Sequence, residues 1–166
     1  MSEGAAAEDI LVAELEDGTT AVMKVILNSI EEVGFSPFVG VNLSANITTQ
    51  VGFMSPEELR EKVKDRPVYY PGQPPPTDGW EVVNIKWQRP AVIETTVSTS
   101  KGVFSVRIVV EVTKALRNMS YKFPSGDPVY QISWVHKPYW KPANTVEHLK
   151  EARTAAKDVS PEDLTH

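Results

Sequence analysis

The chain is predicted to fold as an α+β protein built on a curved, mainly antiparallel sheet of about seven strands, with one short helix after the third strand and a second helix at the C-terminus. A two-layer β-sandwich is the alternative. Three stretches carry this expectation. Val39, Val41, Leu43, Ala45, Ile47, Val51 and Phe53 fall on one parity, which the period of two gathers on one face of a strand running from Val39 to Phe53. The other parity, Gly40, Asn42, Ser44, Asn46, Thr48, Gln50 and Gly52, is small or polar and carries no charge. Phe104, Val106, Ile108, Val110 and Val112 form a second unbroken apolar face, the natural cover for the first. Asp17-Gly18 lies between two β-prone runs and predicts a tight hairpin, because a type I′ turn requires positive φ at both central residues.

Taken in order, residues 1 to 9 read as a mobile tail, and Ile10 to Glu16 and Thr19 to Ile30 as the arms of that hairpin. In the second arm Ala21, Met23, Val25 and Leu27 are uniformly apolar and should point inward, leaving Val22, Ile26 and Ile30 outside with Lys24 and Asn28. Glu31 to Phe38 reads as a loop, and the long strand after it is expected to bend, split or bulge at Gly40 or Gly52. Ser55-Pro56-Glu57-Glu58 has the pattern of a capping box, so a helix is predicted from Pro56 to Lys64 with Leu59 and Val63 as its docking edge. Pro67, Pro71 and Pro74-Pro75-Pro76 make Arg66 to Gly79 an extended, stiff connector. Strands follow at Trp80 to Gln88, Ala91 to Ser100, Val103 to Lys114 and Val129 to His136, with Lys114 to Gly126 read as a basic loop. Residues 10 to 142 therefore form one β-rich domain, and residues 143 to 166 a helix over Thr145 to Lys157 and a tail.

Composition limits the possible functions. At 166 residues the chain is long enough for one core, and without cysteine it has no disulfide, thiolate metal site or cysteine nucleophile. No apolar run reaches the ~18 residues of a membrane span, and the first residues lack the pattern of a secretory signal, so a cytoplasmic location and no membrane partner are expected. The net charge of −5 is uneven: residues 1 to 66 are acidic and residues 67 to 142 basic. Within one compact domain such charges pair across the fold, and nucleic acid is not the expected partner.

No phosphate-binding, nucleotide-binding, nucleophile-elbow or zinc-protease motif is present, and His136, His148 and His166 are dispersed. No cofactor and no metal are expected. The one local concentration is aromatic: Tyr130, Trp134 and His136 alternate on one strand face, Tyr139 and Trp140 follow among lysines, and Trp80 and Trp87 complete a candidate binding cluster. The expected function is a non-enzymatic protein-interaction or assembly module, a homo-oligomer associating through a β face or through this cluster. A small-ligand or sugar-binding domain with an aromatic-lined pocket is the second reading, and an enzyme using Glu81, Glu94 or Glu111 with His136 the third.

Overall fold

A computed structural model describes residues 7–35, 37 and 40–143. Among these residues eight strands lie in two mostly antiparallel sheets rather than in one curved sheet of about seven. The first sheet joins β3 (Asn42–Met54), β2 (Thr20–Gly34), β1 (Ala7–Leu15) and β5 (Ile85–Arg89) in that order. In the second, β7 (Gly102–Lys122) is central, with β8 (Pro128–Pro142) along one edge and β6 (Ala91–Thr99) and β4 (Trp80–Val83) sharing the other. The helix expected over residues 145 to 157 lies outside the described residues. β1 begins within the stretch expected as a tail, and Asp9 accepts a hydrogen bond from the Val92 amide at 2.8 Å.

Period-two patterning decides what is covered. Leu11 and Ala13 of β1 and Ala21, Met23, Val25 and Leu27 of β2 face Ala91 and Ile93 of β6 and Val106, Ile108, Val110 and Val112 of β7 in one core shared by both sheets. Neither sheet has another way to shed the water on this face, so each needs the other.

The single strand read from Trp80 to Gln88 is two. Asn84 separates β4, which pairs with β7, from β5, which pairs with β1, and Pro90 returns the chain to β6 and the second sheet. Each crossing is one residue long, so the parity of the run gives no warning of it. β7 likewise runs on through the stretch read as a basic loop, pairing with β4 at residues 115–118 and with β8 as far as Lys122. A bulge after Val112 resets its parity: Val112 and Ala115 both point inward, and the alternation that marks a strand is interrupted where the loop was expected.

β3 itself stays regular at Gly52, which pairs with Val22. The irregularities fall on β2, between Leu27 and Ser29 and between Glu32 and Gly34. The extra residue Asn28 turns Ile30 from the outer parity to the core, where it pairs with Ala45. The hairpin turn is also looser than a two-residue turn. The Glu16 amide donates to Asn84 and the Leu15 amide to Thr19, leaving a loop of Glu16, Asp17 and Gly18.

Helix α1 (Glu57–Lys62) follows β3 and buries Leu59, while Ser55 makes no cap. The connector after it is held against the end of β7: the Tyr69 amide donates to Lys122 at 2.7 Å and the Lys122 amide to Pro67 at 3.1 Å.

The register gives a direct test. Phe104→Ala, at a buried inward position, should cost about 3 to 5 kcal/mol in urea unfolding, whereas Val103→Ala, on the solvent side, should cost under about 1 kcal/mol. Equal costs would mean the strand is out of register.

Candidate functional site

The structure distributes the aromatic residues instead of gathering them. Trp80 ends the proline-rich connector and donates its Nε1–H to Pro76 at 2.9 Å. Trp87 lies in the other sheet, opposite Glu14, and is 52% exposed. Tyr130 is buried, stacked on Phe53 with ring centroids 4.9 Å apart. Trp134 and Trp140 are half-buried against the main core, and Trp140 Nε1 donates to the Val41 carbonyl at 3.3 Å. His136 is exposed, its ring 6.2 Å from Trp134, while Tyr139 falls on the opposite face of β8, opposite Arg107. Only Trp134 and His136 of this set are near neighbours. Trp87 is set apart by lying in the other sheet, Trp80 by β7, which runs between β4 and β8, Tyr139 by the alternation of β8, and Tyr130 and Trp140 by lying about four residues along the strand from this pair.

A polar junction that the sequence reading missed is better organised. Asp17, in the β1–β2 turn, accepts from the Thr19 amide at 2.9 Å, from the Tyr130 hydroxyl at 2.7 Å and from Arg117 Nη1 at 2.9 Å. Arg117 also donates through Nε and Nη2 to Glu81 at 3.0 and 2.8 Å. Tyr130 has one phenolic proton, so giving it to Asp17 obliges the Thr19 hydroxyl, 2.7 Å away, to donate to the phenolic oxygen. Thr19 Oγ1 lies 3.2 Å from Ser55 Oγ, and the Ser55 amide donates to Asp127 at 3.0 Å. Asp127, buried, also takes Arg60 Nη1 at 2.8 Å and the Ser125 hydroxyl at 2.7 Å. The hairpin turn thus sits against Pro56. Gly18 has φ of 92°, and a Cβ there would come within 2.9 Å of Pro56 Cγ.

Charge follows from these partners. Burial raises the Asp17 carboxyl, but hydrogen bonds from Tyr130, Thr19 and Arg117 outweigh it and hold the group below the ordinary carboxylate value. Burial, reinforced by the Asp17 charge, pushes the Tyr130 phenol up to about 12. These bonds link the turn, β4, β7, β8 and α1 at one end of the two sheets. The candidate carboxylates are engaged as well: Glu81 with Arg117, Glu94 with Arg107 at 3.6 Å and Glu111 with Lys137 at 3.2 Å. Among the described residues no cluster of three metal-ligating side chains occurs, and no helix is long and apolar enough to cross a membrane.

Among the described residues, one flank, where the two sheets end in β3 and β8, carries no further strand. Phe53 against Tyr130 closes one end of it and Trp140 against Val41 the other. Between them, Val51 is 46% exposed although its parity is that of the core, and His136 is exposed. β3 has no strand partner but β2 among the described residues. No protein-family model, curated protein or solved structure matches this chain.

The junction should be visible in pH dependence. The lowered Asp17 value contributes stability that is present above its unfolded value and lost as pH falls through the folded one, so acid below about pH 4 should lower the melting temperature, and less so in Asp17→Asn. The raised Tyr130 value acts in the other direction, with stability intact below about pH 10 and lost as pH rises towards 12. Tyr130→Phe should cost roughly 1 to 3 kcal/mol near neutrality by orphaning the hydrogen bonds of Asp17 and Thr19, and should flatten the alkaline loss. Melting scans across pH check both.

Proposed function

We propose that the chain is a non-enzymatic assembly module that works by strand addition, its free β3 edge extending the first sheet into a second copy of the same protein. One observation supports this above the others. β3 is the only edge strand among the described residues that holds neither a charged residue nor a proline along its whole length. Exposed edges are templates for pairing, and proteins blunt them with charge, proline, bulges or cover. β4 carries Glu81, β5 Lys86 and Arg89, and β6 Glu94, while β8 carries Lys137 and Lys141 and also Pro128, Pro138 and Pro142.

A second copy suits this edge by charge. Two uncharged strands approach without repulsion, and the amides and hydroxyls of Asn46, Thr48 and Gln50 hydrogen-bond equally well to their own kind. The open flank adds an apolar motive, since a further strand beside β3 covers Val51. Main-chain pairing supplies affinity in this mode and the side chains supply the register.

Light scattering on the wild-type chain should show mass rising with concentration. Thr48→Lys, an exposed outer-face change whose partner on β2 is the uncharged Ile26, sets like charges on both edges and should weaken association at least about tenfold while leaving the melting temperature of the dilute protein nearly unchanged. A wild-type chain monomeric up to about 1 mM, where association would be worth no more than about 4 kcal/mol, overturns the reading. Association indifferent to the lysine moves the interface elsewhere.

A further inference from the structure

Resting on strand addition at β3, we infer that assembly stops at a closed two-fold dimer, with β3 antiparallel to β3 of the second copy and Thr48 on the axis. An interface between two copies is either isologous, the same patch on each, or heterologous, joining two different patches and growing until it closes a ring or runs on as a filament. A heterologous sheet needs a second receptive edge. Besides the charges and prolines along the other edge strands, two gaps are filled from within the chain.

The first gap is on β7, where β6 has ended at Val110 and β4 does not begin until Ala115. Here the Gln88 side chain takes the place of a strand, donating through Nε2 to the Val112 carbonyl at 3.0 Å and accepting the Val112 amide through Oε1 at 2.9 Å. The second is on β1 beyond its short pairing with β5, where Arg89 Nη2 donates to the Ile10 carbonyl at 2.6 Å and Asp9 receives the Val92 amide. β3 is left with β3 as its partner.

Two copies of one edge meet antiparallel about a two-fold axis perpendicular to the sheet, the operation that keeps both apolar faces on the same side. Such an axis always sets one residue opposite itself. Pairing the whole of Asn42–Met54 puts Thr48 there, with Asn46 opposite Gln50 and Ser44 opposite Gly52 on the outer face. On the inner face Ile47 meets Thr49, Ala45 meets Val51 and Leu43 meets Phe53. The outer ladder then consists of hydroxyl and amide pairs beside the existing bonds from Asn28 Nδ2 to Asn46 and Thr48 at 3.0 and 2.7 Å. Gly52 leaves its outer side open, with no atom near the place of a Cβ.

The chain contains no cysteine, so a single introduced thiol reports one position. Thr48→Cys should give a covalent dimer on mild oxidation or with the shortest bifunctional thiol reagent, because opposite Cβ atoms lie about 5 Å apart. Asn46→Cys or Gln50→Cys alone should not, since the two thiols would be about four residues, or roughly 13 Å, apart along the strand. The two variants mixed should cross-link to each other, an outcome that leaves Thr48 untouched. Light scattering of the unmodified chain decides the parent reading separately: absence of self-association removes both. Self-association with cross-linking at Asn46→Cys or Gln50→Cys alone, at none of the three, or into a ladder above the dimer keeps assembly and overturns the two-fold register proposed here.

Discussion

Mutual cover between two apolar rows is the constraint on which the rest of the molecule depends. The inward row of the first sheet, with Ala21, Met23, Val25 and Leu27 on β2 beside Leu11 and Ala13 on β1, and that of the second, with Val106, Ile108, Val110 and Val112 on β7 beside Ala91 and Ile93 on β6, are each too apolar to face water, and together they form one core. Once they are stacked, β1 and β6 are brought together and the single-residue crossings at Asn84 and Pro90 become feasible. The ends of the stack then bring Asp17, Arg117 and Tyr130 within hydrogen-bond reach. Shared apolar cover provides the stability, and the polar junction fixes how the two sheets are aligned at that end, since a shift of one residue would separate the Asp17 carboxylate from Arg117 and Tyr130.

The junction and the open flank show opposite uses of polar side chains on one scaffold. At the junction every charge has a short, directional partner, and burial makes an unpaired one costly. Along the outer side of β3 the polar groups are neutral, exposed and replaceable by water, so they neither order the fold nor bar a neighbour. The flank is where the fold leaves its own hydrogen-bonding capacity unspent.

Much of this was legible in the sequence wherever alternation ran undisturbed. Phe104 to Val112, Ala21 to Leu27 and Leu43 to Ile47 face as their parity requires. Legibility failed at places where one residue changes the phase. Asn28 sends Ile30 inward, and the bulge after Val112 conceals the continuation of β7 to Lys122. Asn84 breaks a run that still alternates on either side of it. Ser55 has the pattern of a helix cap, yet its amide goes to Asp127 and its hydroxyl lies beside Thr19, a competition between local and distant partners that the sequence alone does not rank. The aromatic residues read as one cluster in the sequence, yet of that set only Trp134 and His136 are near neighbours, because whether two rings meet depends on which strands pair and how far apart they lie along them. Asp17 carried one signal, its place in a hairpin turn, and nothing marked Arg117 and Tyr130 as its partners.

Sequence separation at the junction has a kinetic consequence. The β1–β2–β3 and β6–β7–β8 meanders are built from neighbours along the chain and form early, whereas the bond from Tyr130 to Asp17 spans 113 residues and that from Arg117 spans 100. Closing loops of that length before any reward arrives is slow, so the contact between the two halves belongs on the native side of the folding barrier. Until it forms, the chain holds two half-built sheets with bare apolar faces, and the β3 edge, which pairs only with β2 among the described residues of the finished protein, is the edge through which two unfinished chains would entangle.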